Sequence, residues 1–243
     1  VEAGLRSFDK AMPEEINRVL VDHCSNLLFC PTKTAVKNLK REGIVKGVYL
    51  TGDVMVEVLK ENLNIAEKKS RILNNLGLKS KDYLLVTVHR AENVDNPVKL
   101  RNIVEALCEI DSIIVFPCHP RTERRLKEFK LWKKLAKRIK VIKPVGYCDM
   151  LILEKNAKKI LTDSGGIQKE AYLLKVPCIT LRKNTEWVET IKEGWNILVG
   201  TNKKEIIKAA CEFTPKNKQR NIFGTGKASK NIKEILEKKL SNF

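Results

Sequence analysis

Long hydrophobic runs are absent from this sequence, which excludes one class of protein at the outset. No apolar stretch approaches the roughly 18 residues that a membrane-spanning helix needs, so no transmembrane segment is predicted. The first residues, 1–6, lack a basic start followed by an apolar stretch, so no signal peptide is predicted. Hydrophobic residues make up 43% of the chain and charged residues 31%, a composition typical of soluble globular proteins.

Paired cysteines are also lacking. The seven cysteines are odd in number, scattered, and never spaced as Cys-x-x-Cys, so neither a disulfide framework nor a zinc site is expected. His23-Cys24 and Cys118-His119 are adjacent pairs, but neither has a partner pair at ligand spacing. We therefore expect reduced thiols, a cytoplasmic protein and no bound metal.

Aromatic residues are few, at 6% of the chain, and no zinc-finger, basic-zipper or aromatic stacking pattern occurs. The net charge of +18 leaves two alternatives open, binding to nucleic acid or attraction of polyphosphate substrates. Lysines are mixed with glutamates along predicted helices, as in Lys127-Glu-Phe-Lys130, so a solvated surface explains the charge better. Neither a specific nucleic-acid partner nor a membrane partner is predicted.

Strand and helix patterns alternate along most of the chain, which predicts an α/β fold with parallel sheets. The polar segment 62–82 makes the best domain boundary. Strands are predicted at 1–4 (the end of a strand), 27–30, 48–51, 83–88, 113–116, 140–142, 159–162, 177–181 and 197–199. Helices are predicted from Pro13 and over 32–42, 54–61, 97–109, 122–138, 149–156, 167–174, 186–193, 204–213 and 228–240.

Polar side chains follow several of the predicted strands. His89 and Arg90 follow the first strand after the boundary, His119 follows the second, and 163–166 follow the fourth. Ligands of open α/β sheets bind beyond the carboxyl ends of the strands. Singly, each histidine is more often a structural hydrogen-bonding residue, but together with the nearby arginines they indicate an anion site for a nucleotide or nucleotide sugar.

The segment Ser164-Gly165-Gly166 is a candidate phosphate-binding turn. A strand, a Ser-Gly-Gly turn and a helix beginning near Ile167 would point free backbone N–H groups at an anion. Glu170, four residues after Gly166, lies on the same helix face and would accept a sugar hydroxyl. The alternative is an ordinary strand-to-helix turn with a serine near the cap, and the motif alone favours neither interpretation.

The start of the chain contributes carboxylates: Glu2 at a predicted strand end, and Glu14 and Glu15 at a helix start with Arg18 one turn further on. Two carboxylates that face one cleft can act as an acid and a base when their environments separate their pKa values. The alternative is that Glu14 and Glu15 only stabilise the helix N-terminus and pair with Arg18. Spacing alone favours this alternative.

Six short segments carry a more specific pattern: Val1-Glu-Ala-Gly-Leu-Arg-Ser7, Met12-Pro-Glu-Glu-Ile-Asn-Arg18, Phe29-Cys-Pro-Thr32, His89-Arg-Ala-Glu-Asn93, Thr162-Asp-Ser-Gly-Gly-Ile-Gln-Lys-Glu-Ala171 and Gly224-Thr-Gly-Lys-Ala-Ser229. In this order they resemble the motifs of the non-hydrolysing UDP-N-acetylglucosamine 2-epimerases, over nearly the whole chain. The resemblance implies a glycosyltransferase-B-like fold, in which two Rossmann-type parallel-sheet domains enclose a cleft. The domains would be 1–62, the remainder of the first; 63–225, which binds UDP; and 226–243, a closing helix that packs on the first.

The resemblance also implies a reaction and a set of roles. The family interconverts UDP-GlcNAc and UDP-ManNAc without metal or cofactor, by eliminating UDP to a 2-acetamidoglucal and adding it back, for surface polysaccharide synthesis. Motif by motif, the catalytic residues would be Glu2, Glu14 and His89, and the substrate-binding residues Arg18, Ser164, Gly165, Gly166 and Glu170. Arg90, Glu92 and His119 resemble a second UDP-GlcNAc site that activates bacterial members. A homodimer is also implied.

Two departures from the family pattern leave alternatives open. The chain begins inside the first motif, so a further catalytic aspartate is expected to be missing, and the chain is either a fragment or inactive alone. Two segments, Thr185-Glu-Trp-Val-Glu189 and His89-Arg-Ala-Glu-Asn-Val-Asp95, resemble more closely the relatives that act on UDP-2,3-diacetamido-2,3-dideoxyglucuronate, so the groups at C3 and C6 of the sugar stay undecided. A glycosyltransferase on the same fold and a non-catalytic UDP-binding or nucleic-acid-binding fragment are the competing hypotheses.

Overall fold

The computed structural model of the protein describes residues 1–241, so the last two residues of the predicted segment 226–243 lie outside the described residues. The strands are β1 (Leu28–Cys30), β2 (Val48–Leu50), β3 (Tyr83–Thr87), β4 (Ile113–Pro117), β5 (Lys140–Ile142), β6 (Lys159–Thr162), β7 (Cys178–Thr180) and β8 (Asn196–Leu198). The helices are α1 (Pro13–Cys24), α2 (Lys33–Arg41), α3 (Met55–Lys69), α4 (Ile72–Leu76), α5 (Ala91–Val94), α6 (Pro97–Glu109), α7 (Pro120–Glu128), α8 (Trp132–Arg138), α9 (Tyr147–Asn156), α10 (Gly165–Leu173), α11 (Val188–Lys192), α12 (Lys203–Glu212) and α13 (Ala228–Leu240).

The chain divides into two compact units. Unit 1 consists of Val1–Asn62, Asn184–Glu189 and the described residues from Arg220 onward, and unit 2 of Leu63–Lys183 and Thr190–Gln219. Every strand pair in both units is parallel. The predicted fold class, α/β with parallel Rossmann-type sheets, is therefore confirmed, whereas the predicted domain limits stay a prediction.

Unit 1 is built on a parallel pair, β1 and β2, in the register Leu28↔Val48. The buried Arg6 side chain ties this unit together, because its guanidinium lies 2.7 Å from Asp22 and 2.7 Å from Glu42. Breaking such a buried ion pair by removing one partner typically costs about 3–5 kcal/mol. Helix α13 belongs to the same unit and is held by Asn231, whose side-chain amide donates to the carbonyl of Thr51 at 3.0 Å.

Unit 2 contains a six-stranded sheet in the order β5-β4-β3-β6-β7-β8. This is the strand order 3-2-1-4-5-6 of doubly wound nucleotide-binding domains. Every residue of β3 is buried, with Leu84 and Val86 in one hydrophobic cluster and Tyr83 and Leu85 in another. Helices therefore cover both faces, and the strand order reverses between β3 and β6.

The structure corrects three predicted elements. Residues 1–4 form no strand, and the helix predicted over 54–61 continues to Lys69 and is followed by α4, so much of the predicted polar linker is helical. The single helix predicted over 122–138 is two helices, because Lys130 adopts a left-handed φ of 59°. The N–H of Leu131 then donates to the carbonyl of Leu126 at 2.8 Å, as in a Schellman helix stop.

Candidate functional site

The candidate site of unit 2 lies where the strand order reverses, beyond the carboxyl ends of β3 and β6. These strands are neighbours in the register Thr87↔Thr162, and the two threonine hydroxyls are 2.6 Å apart. The segments that follow them, 88–93 and 163–166, therefore leave the sheet at the same edge. Such a switch point is where open α/β sheets bind their ligands.

Segment 163–166 forms the N-terminus of α10. Ser164 is the N-cap residue, and its hydroxyl accepts the N–H of Ile167 at 3.5 Å. The helix begins at Gly165, two residues earlier than predicted, so the two glycines form the first helical turn. A Cβ added to Gly166 would meet only the Ser164 hydroxyl within 4 Å, at 3.8 Å. The helix N-terminus is thus open to a ligand, as an anion site requires.

Asp163 holds the two segments together. Its buried carboxylate accepts the backbone N–H groups of His89 at 3.0 Å and Arg90 at 3.1 Å, and the side-chain amide of Asn93 at 3.0 Å. Sequence reasoning placed Asp163 at the strand end but gave it no role. The sequence feature that could have indicated this role is a carboxylate directly after a buried strand, together with a His-Arg-x-x-Asn segment after the neighbouring strand.

His89 and His119 lie together at this edge, with ring centroids 6.4 Å apart. Burial lowers the pKa of His89, the charges of Arg90 and His119 lower it further, and the carboxylate of Asp163, 3.8 Å from its Nδ1, opposes the shift. His119 also caps α7, because its Nδ1 accepts the N–H of Arg121 at 3.1 Å. This edge of the sheet therefore carries His89, whose pKa is lowered, and His119, whose side chain caps a helix.

The candidates for a second site are arranged on short surface elements. Arg90 is the N-cap residue of α5, and Glu92, in its first turn, forms an ion pair with Lys99 at 2.7 Å. Nearby, Asp95 pairs with Arg121 and Arg125. Exposed pairs of this kind contribute little to stability. The role of Arg90, Glu92 and His119 in activation stays a prediction.

Glu170 is buried on α10 and faces α9. The hydroxyl of Tyr147, the first residue of α9, donates to Glu170 Oε1 at 2.8 Å. Burial raises the pKa of Glu170, while the Tyr147 hydrogen bond and the charge of Lys169 oppose the shift. Sequence analysis gives Tyr147 no role, although an aromatic residue directly after Gly146, just before the helix predicted over 149–156, was a usable signal.

The candidate carboxylates of unit 1 differ in their environments. Glu2 is exposed with a φ of 60°, and Glu14 is exposed in the first turn of α1. Glu15 is buried and accepts N–H groups of Ser7 at 2.8 Å and Phe8 at 2.9 Å. Burial alone would raise the pKa of Glu15, but these hydrogen bonds, the Ser7 hydroxyl and Arg18 outweigh it and lower the pKa.

Arg18 lies between two carboxylates of unit 1. Its guanidinium is 3.4 Å from Glu15 and 3.5 Å from Glu186. The ion pair with Glu15 matches the structural alternative for this helix, and a role of Arg18 in substrate binding stays a prediction. Among residues 1–241, no group of three or more His, Cys, Asp or Glu side chains is placed to hold a metal ion, and no helix is long and apolar enough to cross a membrane.

Comparison with known sequences gives the family. A family model described as UDP-N-acetylglucosamine 2-epimerase matches residues 1–237. A relative from Methanococcus maripaludis, named UDP-N-acetylglucosamine 2-epimerase homolog, is 55% identical over 240 residues, which are 97% of this chain and 67% of the relative. A Pseudomonas aeruginosa relative, named UDP-2,3-diacetamido-2,3-dideoxy-D-glucuronate 2-epimerase, is 44% identical and covers 98% of this chain and 67% of its own length.

A solved structure gives the same result. The crystal structure of Methanocaldococcus jannaschii UDP-GlcNAc 2-epimerase in complex with UDP-GlcNAc and UDP is 53% identical, with a TM-score of 0.90. The match covers 98% of this chain and 68% of that one, so the chain spans about two thirds of the length of its relatives. The resemblance seen in the six motifs is confirmed, and the chain belongs to the UDP-N-acetylglucosamine 2-epimerase family, which consists of isomerases.

Proposed function

We propose that this protein catalyses the epimerisation of UDP-N-acetylglucosamine at C2 of the sugar. The observation that carries the proposal is the match to the Methanocaldococcus jannaschii enzyme, whose crystal structure contains UDP-GlcNAc and UDP. The open N-terminus of α10 at the switch point of unit 2 supports it, because that is where a doubly wound domain holds a nucleotide diphosphate. The product would be UDP-N-acetylmannosamine, a precursor for surface polysaccharide.

Unit 2 would hold the UDP half of the substrate. The diphosphate would lie against Ser164, Gly165 and Gly166, where the first N–H groups of α10 and its dipole stabilise negative charge. Glu170, further along the same helix, would accept ribose hydroxyl groups. His89, of lowered pKa, would lie near the diphosphate as a hydrogen-bonding group. These contacts stabilise UDP as the leaving group, and this stabilisation lowers the barrier to its departure.

The carboxylates of unit 1 would move the protons. One of Glu2 and Glu14 would remove the proton at C2 as the bond from C1 to the UDP oxygen breaks, which leaves a double bond between C1 and C2 in a 2-acetamidoglucal. The other would return a proton to C2 from the opposite face as UDP adds back to C1. No net oxidation occurs and the proton count balances. Arg18, which lies between Glu15 and Glu186, would support the substrate at this end.

A second substrate is favoured by a specific observation. The Pseudomonas aeruginosa relative, 44% identical over 247 residues, carries the name UDP-2,3-diacetamido-2,3-dideoxy-D-glucuronate 2-epimerase. The reaction at C2 would be the same, and only the groups at C3 and C6 would differ. Assaying both nucleotide sugars side by side decides between them, since the true substrate has the higher kcat/KM.

The test is epimerisation in deuterated water. The whole protein, incubated with UDP-GlcNAc, should produce UDP-ManNAc and incorporate deuterium at C2, both seen by NMR. The Glu14→Gln variant should lose this activity while still binding UDP in calorimetry. Transfer of the sugar to an acceptor with stoichiometric release of UDP would instead indicate a glycosyltransferase. UDP binding by a protein that exchanges no deuterium with either substrate would indicate a non-catalytic UDP-binding protein.

The proposal extends to assembly and location. It includes a homodimer and activation by a second UDP-GlcNAc bound at Arg90, Glu92 and His119. It also includes a cytoplasmic location, which is supported by the free state of all seven cysteines. Light scattering tests the homodimer. Activation predicts that added UDP-GlcNAc accelerates the reverse reaction of UDP-ManNAc, and that an Arg90→Ala variant loses the acceleration first.

A further inference from the structure

Glu154 on α9 is a buried carboxyl group without a visible function. Its side chain is fully buried, and within residues 1–241 neither of its oxygens has a hydrogen-bond partner. Its neighbours in sequence, Leu153 and Ala157, belong to the hydrophobic cluster between the sheet and the helices on that face. A carboxylate ion in such surroundings is costly, whereas a neutral carboxylic acid is not, so the group is expected to keep its proton.

The titratable groups around Glu154 come from four elements: Tyr83 on β3, Tyr147 on α9, Glu170 on α10 and Cys178 on β7. Tyr147 lies seven residues before Glu154, two turns away on the same face of α9. The Tyr147 hydroxyl donates to Glu170. One face of α9 therefore carries a donor to Glu170 and, two turns further on, a second carboxyl group.

The two carboxyl groups, Glu154 and Glu170, differ in how readily each keeps its proton. Burial raises the pKa of Glu154 well above its ordinary value, and the charge of Glu170 raises it further. Burial also raises the pKa of Glu170, but the Tyr147 hydrogen bond and Lys169 favour its ionised form. Glu154 also lies in the last turn of α9, where the negative end of the helix dipole opposes an anion. Glu154, which has no donor among the described residues, therefore holds a proton more readily than Glu170, which accepts the Tyr147 hydroxyl.

We propose that Glu154 is a positioning residue for nucleotide binding, whose retained proton limits the Glu154–Glu170 pair to one negative charge. This inference rests on the proposed binding of UDP to α10. With Glu154 neutral, Glu170 accepts the ribose hydroxyls while the N-terminus of the same helix attracts the diphosphate. With Glu154 ionised, a second buried negative charge repels both Glu170 and the incoming diphosphate. Loss of the proton at alkaline pH therefore weakens UDP binding.

The test compares UDP affinity in two proteins over a series of pH values. Calorimetry with UDP from pH 6 to pH 10 is performed on the wild-type protein and on Glu154→Gln, which copies the shape of the neutral acid. Both should bind equally well near pH 6. As the pH rises, the wild-type protein should lose at least threefold more affinity than the variant. Glu212→Gln, at the end of α12 and exposed, is the matched control and should follow the wild-type curve.

Identical pH curves for the wild-type protein and Glu154→Gln would overturn the inference, and so would a variant that binds UDP at least tenfold more weakly at pH 6. A merely structural role for Glu154 would not move the pH curve. If UDP binds to neither protein at any pH, the proposed function is contradicted instead. The failure of the inference about Glu154 can therefore be distinguished from the failure of the proposed function.

A second measurement needs no variant. Infrared spectroscopy of the wild-type protein should show a protonated carboxyl band at pH 8, and the band should disappear with the same pH midpoint as the UDP affinity. A wild-type protein without such a band at pH 8 overturns the inference, even if Glu154→Gln does not fold.

Discussion

Two regions of unit 2 each contain a completely buried carboxyl group, and the two groups differ in their hydrogen bonding. At the sheet edge, Asp163 accepts hydrogen bonds from His89, Arg90 and Asn93. On the buried face of α9, Glu154 has no hydrogen-bond partner among residues 1–241 and lies beside the hydrophobic cluster that contains Leu153 and Ala157. The depth of burial is the same, so the two groups differ in the number of donors that compensate for the loss of water: three for Asp163 and none for Glu154 among the described residues. Glu15 of unit 1, which is hydrogen-bonded by Ser7 and Phe8, follows the pattern of Asp163.

The largest effect is expected at Asp163. The variant Asp163→Asn keeps the shape but removes the charge to which three N–H groups donate. Hydrogen bonds to a charged group contribute about 1.5–3 kcal/mol each, so we expect a loss of about 3 kcal/mol or more in the free energy of unfolding. Urea denaturation measures it, with the exposed Asp111→Asn as control. An effect below about 1 kcal/mol would contradict the role of Asp163 in holding the two segments.

Glu15 extends the comparison to unit 1. Because the pKa of Glu15 lies below its ordinary value of 4.5, the ionised side chain stabilises the fold above pH 4.5, and this stability is lost as the pH falls through the lowered pKa. We expect Glu15→Gln to lower the free energy of unfolding by about 1–2 kcal/mol at pH 7. The difference from the wild-type protein should shrink towards pH 3. A difference that does not depend on pH would show that packing, not charge, is lost.

Glu154 should respond with the opposite sign. Because its pKa is raised above the ordinary value of 4.5, the folded protein binds more protons than the unfolded chain, and stability falls as the pH rises above that value. Glu154→Gln removes this loss. Each pKa unit corresponds to about 1.4 kcal/mol, so we expect the variant to gain more than about 1 kcal/mol relative to the wild-type protein between pH 5 and pH 8. Thermal unfolding at both pH values measures the gain, and a stability difference between the variant and the wild-type protein that is the same at pH 5 and pH 8 would refute it.

Tyr147 should give the smallest effect. Tyr147→Phe removes one hydrogen bond to Glu170, which typically contributes about 1 kcal/mol or less. We expect UDP affinity near neutral pH to fall about threefold, because Glu170 then ionises less readily. Calorimetry with UDP measures it, and Tyr49→Phe, in unit 1, is the control. Unchanged affinity in Tyr147→Phe would separate Glu170 from nucleotide binding.

Much of the unit 2 architecture could be predicted from the sequence. The strands 140–142 and 159–162 and the helix 97–109 were predicted with the bounds that the structure gives, because apolar runs and caps such as Pro97 mark them locally. The break at Lys130 was not visible, since a lysine in a left-handed conformation leaves no glycine signal. The short helix α5 was not predicted either, because its start depends on tertiary hydrogen bonds to Asp163, which no local pattern shows.

The site could be predicted only in part. Strand ends with histidine, arginine and Ser-Gly-Gly are local patterns, so the edge was found, and the structure brings His89, His119 and Ser164 to the ends of neighbouring strands. The partner of each charge depends on residues far apart in sequence, as with Tyr147 and Glu170 or Arg18 and Glu186. No local pattern shows which buried carboxyl group lacks donors, so Glu154 could not be singled out.

Helix α13 has a consequence for how the chain folds during synthesis. The hydrogen bond between Asn231 and Thr51 joins residues 180 positions apart, and the backbone N–H of Asp53 donates to the carbonyl of Phe223. Residues 1–62 are synthesised before unit 2, yet these contacts form only after α13 has left the ribosome. Unit 2 ends at Gln219 and can complete its sheet earlier. Unit 1 is therefore completed after unit 2, and its apolar surface depends longer on protection from aggregation.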